Sequence, residues 1–205
     1  MFGFRWYRLL NGSGEESVSP PFYFASLPVL ETERLILRPL RMRDAQDIYA
    51  YASDPEVARY VLWEPHTSLA DTRSYIRCMR GLYRRGLPSC WAAELRESGR
   101  VIGTIGFMWY SGQNRSAEVG YSFARKEWNR GYATEALQAV LASVFTSLSV
   151  NRIEAQHDVR NPASGRVMEK CGMKKEGVLR QRILNKNEYI DVALWSVLRT
   201  DLEGK

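Results

Sequence analysis

The chain has 205 residues, of which 45% are hydrophobic, 12% aromatic and 25% charged, the balance of a globular protein able to bury one core. Its net charge of +6 suits an anionic ligand, but no Lys/Arg-rich patch with interleaved aromatics marks a nucleic-acid binder. Three widely spaced cysteines (Cys78, Cys90, Cys171) and two histidines (His66, His157) suggest neither a disulfide framework nor a metal site, and no apolar run approaches the ~20 residues of a membrane span.

The aromatic, basic opening Met1-Phe2-Gly3-Phe4-Arg5-Trp6 lacks the apolar core of a signal peptide. It reads as a tail, with a short amphipathic helix as the alternative. Residues 11–28 are rich in Ser, Gly and Pro and read as a linker or irregular tail. Residues 1–30 are therefore taken as an extension and 31–203 as one domain. Cysteines read as buried free thiols lead to the expectation of a reducing, cytoplasmic location.

Residues 32–39 hold an apolar centre stopped by Pro39 and predict a first strand. Asp44 is placed to cap a helix carrying Ala45, Ile48, Tyr49 and Ala52. Asp54-Pro55 breaks that helix before a short turn through Val57 and Tyr60. A second helix fits 69–83, with Tyr75, Ile76, Met79 and Leu82 on one face. Three strands follow over 90–95, 101–110 and 117–123, joined by turns at Glu97-Ser98-Gly99-Arg100 and 111–115. The next helix carries Ala136, Leu137, Val140, Leu141, Val144, Phe145 and Leu148 at helical spacing and ends at Asn151. Residues 152–159 alternate Ile153, Ala155, His157 and Val159 as a strand. Asn161-Pro162 opens another helix, with Asn at the N-cap, Pro at the first helical position and Gly172 as its stop. Strands over 173–183 and 189–198, turning at Asn185-Lys186-Asn187, close the chain. This order predicts an α/β domain with a mixed sheet.

One loop carries chemistry. Trp128-Asn129-Arg130-Gly131-Tyr132-Ala133-Thr134-Glu135 lies where the 117–123 strand meets a long helix. Gly131 permits a positive φ and close backbone approach, and Ala133 keeps the first turn free of bulk. Bare N–H groups and the helix dipole would then converge on a phosphate. Taken alone, the segment also fits an ordinary strand–helix turn.

Four segments in this order resemble a known family: Glu33-Arg34-Leu35-Ile36-Leu37-Arg38-Pro39, Glu118-Val119-Gly120-Tyr121, Arg130-Gly131-Tyr132-Ala133-Thr134-Glu135-Ala136, and Asn161-Pro162-Ala163-Ser164 followed by Glu169-Lys170-Cys171-Gly172-Met173. Over residues 30–201 the chain resembles the GNAT superfamily of acetyl-CoA-dependent N-acetyltransferases, and most the branch of the ribosomal-protein-alanine acetyltransferases RimJ and RimL. The resemblance implies a central mixed, mostly antiparallel sheet with helices on both faces and two splayed parallel strands. It implies acetyl-CoA as co-substrate, no metal, and direct attack of an amine on the thioester. Asn129, Arg130, Gly131, Tyr132, Ala133 and Thr134 would cradle the pyrophosphate. Main-chain groups at Tyr121, Ser122 and Phe123, with the Asn161 side chain, would pair with the pantetheine arm. Ser164 would protonate the departing thiolate, although Asn161 and Ser164 equally fit helix-start roles.

The chain departs from that pattern in two places. Trp128 stands where the loop motif has Gln or Arg. The glutamate implicated in RimL-like enzymes falls on Ile183, which leaves Glu118 as the nearest carboxylate for a general base, or as an exposed strand residue; Glu188, Tyr189 and Asp191 are further polar groups. The acceptor would be a primary amine, on a protein N-terminus or a small molecule, in a pocket drawn from the first two helices and the last hairpin with Trp63, Glu64, His66 and Trp91. Nucleic acid would enter only through a ribosomal substrate, and a homodimer stays open. Two other readings stand beside this one: a non-catalytic acyl-CoA-binding module, favoured by Ile183, and a basic ribosome-associated binder.

Overall fold

Residues 18–203 are described by the computed structural model. Eight strands, β1 (Leu30–Glu31), β2 (Leu35–Pro39), β3 (Cys90–Leu95), β4 (Val101–Ser111), β5 (Ser116–Phe123), β6 (Arg152–Asp158), β7 (Lys174–Asn185) and β8 (Glu188–Leu198), form one sheet in the order β1-β2-β3-β4-β5-β6-β8-β7. Every neighbouring pair is antiparallel except β5 and β6. A parallel pair needs a crossover, and helix α5 (Tyr132–Ser147) supplies it. The remaining helices are α1 (Pro20–Ala25), α2 (Ala45–Ala52), α3 (Pro55–Ala58), α4 (Leu69–Arg84), α6 (Pro162–Lys170) and α7 (Arg199–Glu203).

Strand alternation divides the core between two faces. On β3, Trp91 and Ala93 join the cluster built with α1, α5 and α6, while Cys90 and Ala92 join the cluster built with α2 and α4. The apolar series anticipated for the crossover helix is buried as a stripe: Ala136, Leu137, Val140, Leu141, Val144 and Phe145 are all in the core. The β7–β8 hairpin turns on Lys186 (φ 51°) and Asn187 (φ 64°), the pair of left-handed residues that a two-residue hairpin turn demands.

Several expectations change. The aromatic opening stretch lies outside the described residues. The Pro-rich segment read as irregular contains α1, whose Tyr23 and Phe24 are buried with Leu27 in the main core; Tyr23 bonds Ser143 of α5 (2.9 Å), and the Trp91 indole donates to Pro28 O (2.8 Å). Three apolar or aromatic side chains, Tyr23, Phe24 and Leu27, outweigh the Ser/Gly/Pro composition once a groove is there to receive them. Asp44 stands before α2 but does not cap it. Its carboxylate instead takes two hydrogen bonds from the buried Arg38 guanidinium (both 2.8 Å) and one from the Arg41 backbone N–H (2.7 Å), while Arg38 Nε donates to Glu94 (2.6 Å). A buried cation outcompetes a free helix amide for a carboxylate. Helix α5 ends at Ser147, before Asn151, because Leu148 is extended and turns into the core. Val159 falls beyond β6 and is exposed.

Candidate active site

Strands β5 and β6 begin as partners and then separate. Their register runs Ser116↔Arg152, Ala117↔Ile153, Glu118↔Glu154 and stops there. Beyond that point β5 remains paired with β4 through Phe123, and β6 remains paired with β8 through Asp158. The edges that β5 and β6 turn toward each other therefore lack a strand partner from Val119 and Ala155 onward, so an extended, amide-bearing molecule has a slot to enter. Tyr121 and Ser122 lie along that slot. Phe123 does so with its carbonyl already engaged, since the Trp128 indole donates to it (2.8 Å). Trp128 thus replaces the expected loop side chain with a brace that holds the loop against the strand end.

At the mouth of the slot stands the N-terminus of α5. Asn129 (φ 59°) and Gly131 (φ 84°) are both left-handed, with Arg130 between them. Alternation of this kind curls successive N–H groups toward one side and makes an anion-binding concavity. The N–H of Glu135, donating to Gly131 O (3.0 Å), begins the helical ladder. The amides before it are the unsatisfied donors of a helix start. A Cβ on Gly131 would lie 3.3 Å from Arg34 Nη2.

Side chains around this loop are committed to holding it. Glu135 accepts from Thr32 Oγ1 (2.6 Å), the Arg34 backbone N–H (2.8 Å) and Arg34 Nε (2.7 Å). Arg34 Nη1 donates to Arg130 O (2.9 Å), and its guanidinium stacks on the Tyr132 ring at 4.4 Å. Arg130 is drawn back to Glu127 (2.6 Å), and the Tyr132 ring is buried. Among these residues the backbone, and not the side chains, is what remains for a ligand. The part played by Arg34 was hidden in the sequence because Glu135 lies 101 residues away.

Across the slot, α6 starts at Asn161, whose Oδ1 accepts the Ser164 N–H at 3.4 Å, as expected of an N-cap. Ser164 Oγ donates to the Tyr121 hydroxyl (3.0 Å), which itself donates to Ser164 O (3.0 Å). Burial pushes the Tyr121 phenol well above its ordinary range, so it stays protonated. Gly165 is required beside this pair: a Cβ there would come within 2.8 Å of His157 Nε2. His157 is held neutral by burial, with Nδ1 toward Asp158 O (2.8 Å) and Nε2 accepting from the Trp195 indole (3.1 Å).

Glu118 sits where the two strands part. It is only 8% exposed, which overturns its reading as an exposed strand residue. The bulge in β4 between Phe107 and Trp109 aligns Trp109 opposite Glu118, and its indole donates to Oε2 (2.6 Å); Gln156 of β6 donates to Oε1 (2.9 Å). Burial raises the Glu118 pKa above the usual carboxylate range, and the two neutral donors only partly oppose it.

A cavity of about 510 Å3 runs through the opening, reaching Tyr121, Asn161 and Ser164 on one side of the sheet and Glu118, Ser122 and Gln156 toward the other. Beyond Glu118 it continues between α2, α4 and the β7–β8 hairpin. Trp63 and His66 line it as anticipated, with His66 Nδ1 bonded to Thr72 (2.8 Å) and its pKa lowered by burial. Trp91 does not, being fully buried in the opposite core, and Glu64 points outward toward Lys186 (4.0 Å). Ile183 does line the cavity, so no carboxylate is supplied from that position. Glu188 is paired with Arg160 (2.9 Å), Asp191 accepts the Gln181 N–H (2.7 Å) and Tyr189 is exposed. Tyr75 and Met79 share the helix face expected from their spacing, but Gln156 of β6, which lines the same cavity, was not foreseen beside them.

The family model of the acetyltransferase (GNAT) domain matches residues 34–174. An uncharacterized N-acetyltransferase, p20 of Bacillus licheniformis, is 36% identical over 178 residues, covering 87% of this chain and 100% of that protein. The crystal structure of a GNAT-family acetyltransferase from Bacillus anthracis superposes with a TM-score of 0.75 at 31% identity, covering 83% of this chain and 98% of that one. Mycobacterium smegmatis RimJ, solved in complex with CoA-disulfide, superposes with a TM-score of 0.73 at 26% identity over 82% and 83% of the two chains. The chain belongs to the GNAT acetyltransferase family and is an acyltransferase whose relatives include the RimJ/RimL-like enzymes.

Proposed function

We propose that this chain moves the acetyl group of acetyl-CoA to a primary amine by direct attack within a ternary complex. The observation that carries the reading is the parting of β5 and β6 after Glu118, with the donor-rich start of α5 at its mouth. The residues present suit the co-substrate. The amides from Asn129 to Thr134 would hold the pyrophosphate, and the free edge of β5 at Tyr121 and Ser122, with Asn161, would receive the amide-bearing arm.

An ammonium cannot attack, so its proton must leave first. Glu118, with a raised pKa and no cation bonded to it, is suited to accept that proton. The new N–C bond then forms as the C–S bond breaks, with the electron pair departing on sulfur. Ser164 Oγ, at a helix start and bonded to a phenol that stays neutral, is suited to protonate the thiolate. Both buried cysteines are held as thiols by burial, Cys90 pushed up to about 11 and Cys171 to about 12, so neither is offered as a nucleophile.

The test has two stages. Acetyl-CoA at a hundred times its Kd should stabilise the chain by about 2.7 kcal/mol in a thermal melt. Incubation with a panel of amines should then release free CoA thiol. No stabilisation by acetyl-CoA would refute the proposal at its first step.

A further inference from the structure

The chain carries a net charge of +6, yet the acceptor end of its cavity carries the opposite sign. Among the described residues that line it, the charged side chains are Glu118 and Asp158, with no lysine or arginine. Asp158 is already answered by Arg160, which reaches it through its backbone N–H (2.9 Å) and its guanidinium (2.7 Å). Both lining histidines have pKa values lowered by burial. Glu118 is therefore the carboxylate left to meet a cation, and its bonded partners are the neutral Trp109 and Gln156.

The walls around it are apolar and aromatic, including Leu62, Trp63, Tyr75, Met79, Ile183 and Ile190. The hairpin tip is tied to the end of α3 and the residues after it: Lys186 Nζ donates to Ala58 O (2.5 Å) and Asn185 Nδ2 to Val61 O (3.3 Å). Ser89, a residue of the lining, is buried, and its Oγ has no hydrogen-bond partner among the described residues.

The geometry points to an acceptor that is a compact primary amine, singly charged, on an uncharged aromatic or aliphatic body. This assignment rests on the acetyl-transfer reading and narrows its acceptor. A carboxylate on the acceptor would enter beside Glu118 with no cation among the described lining residues to receive it, since Arg182, which acts on Glu118 at a distance, lies outside that lining, and like charges set together are repelled. A second ammonium would face apolar wall, since Ile183 supplies no carboxylate. A long peptide finds less room beside a hairpin tip tied to residues 58–61 than a compact amine does.

The test compares 2-phenylethylamine with phenylalanine, which adds a carboxylate to the same body, and with spermidine and an amidated hexapeptide. Thiol release should favour 2-phenylethylamine over phenylalanine by at least about a hundredfold in kcat/KM, which corresponds to two factors of ten in transition-state binding. Leu62→Arg, at an exposed position in the lining, should raise KM for 2-phenylethylamine by roughly tenfold while the acetyl-CoA melting shift is kept. Equal or faster turnover of phenylalanine, spermidine or the peptide overturns the assignment and leaves acetyl transfer standing. So does a chain stabilised by acetyl-CoA that neither binds nor acetylates 2-phenylethylamine. Absence of acetyl-CoA stabilisation removes the underlying reading instead.

Discussion

Replacing Gly131 by alanine tests the cradle most directly. The residue is left-handed at φ 84°, and a Cβ there would meet only the far end of the flexible Arg34 side chain, at 3.3 Å. Steric crowding is thus small, and the cost is conformational. Holding a residue with a Cβ in the left-handed region costs about 1–2 kcal/mol. In a chain of this size 1 kcal/mol moves Tm by about 2–4 °C, so Gly131→Ala should lower Tm by roughly 2–8 °C. Relaxation toward negative φ would relieve that strain but swing the 131–132 peptide away from the concavity. Each charge-assisted hydrogen bond lost to a pyrophosphate is worth about 1.5–3 kcal/mol. The Kd for CoA should therefore rise by roughly ten- to a hundredfold. Calorimetric titration of the folded variant with CoA, beside its thermal melt, reads both quantities. A lowered Tm with a Kd unchanged within twofold would refute the cradle, because the strain would then be serving the fold alone.

Three further outcomes are expected. The acid limb of the kcat/KM profile should lie above the ordinary carboxylate range, because burial raises the Glu118 pKa and the deprotonated form is the base; activity then rises with pH through that pKa. Glu118→Gln should abolish the limb and lower kcat by roughly 10²–10⁴, and a limb that persists in the variant assigns the base elsewhere. Ser164→Ala should lower kcat on the order of a hundredfold with little change in acetyl-CoA affinity, whereas unchanged kcat removes the acid role. Arg38→Met strands Asp44 and Glu94 in the interior and should cost about 3–5 kcal/mol, or roughly 6–20 °C in Tm, with CoA affinity of the folded protein retained; a loss below 2 °C in the melt would mean the buried ion pairs are not needed.

Local physics was legible in the chain itself. Apolar spacing at i, i+3 and i+4 gave the crossover helix, Asn161-Pro162 gave the start of α6, and Gly131 announced a positive φ beside a helix start. These signals involve residues a few positions apart, whose interactions survive whatever the rest of the fold does. The family resemblance extended them to a sheet with two splayed strands. Where composition and packing disagreed, as over Pro20–Ala25, the reading went wrong because a groove made by α5 and β3 decides whether Tyr23 and Phe24 are buried.

Only the tertiary structure decided the site. The β5–β6 register ends at Glu118↔Glu154, and that single termination opens the slot. The same arrangement brings Trp109 and Gln156 onto the Glu118 carboxylate and so makes it a buried base candidate instead of a surface charge. Arg34 reaches Glu135 across 101 residues, and Tyr121 reaches Ser164 across 43. Such contacts depend on strand register and crossover geometry, which no short window of sequence encodes, while the turns and helix starts that frame them are set by residues next to one another.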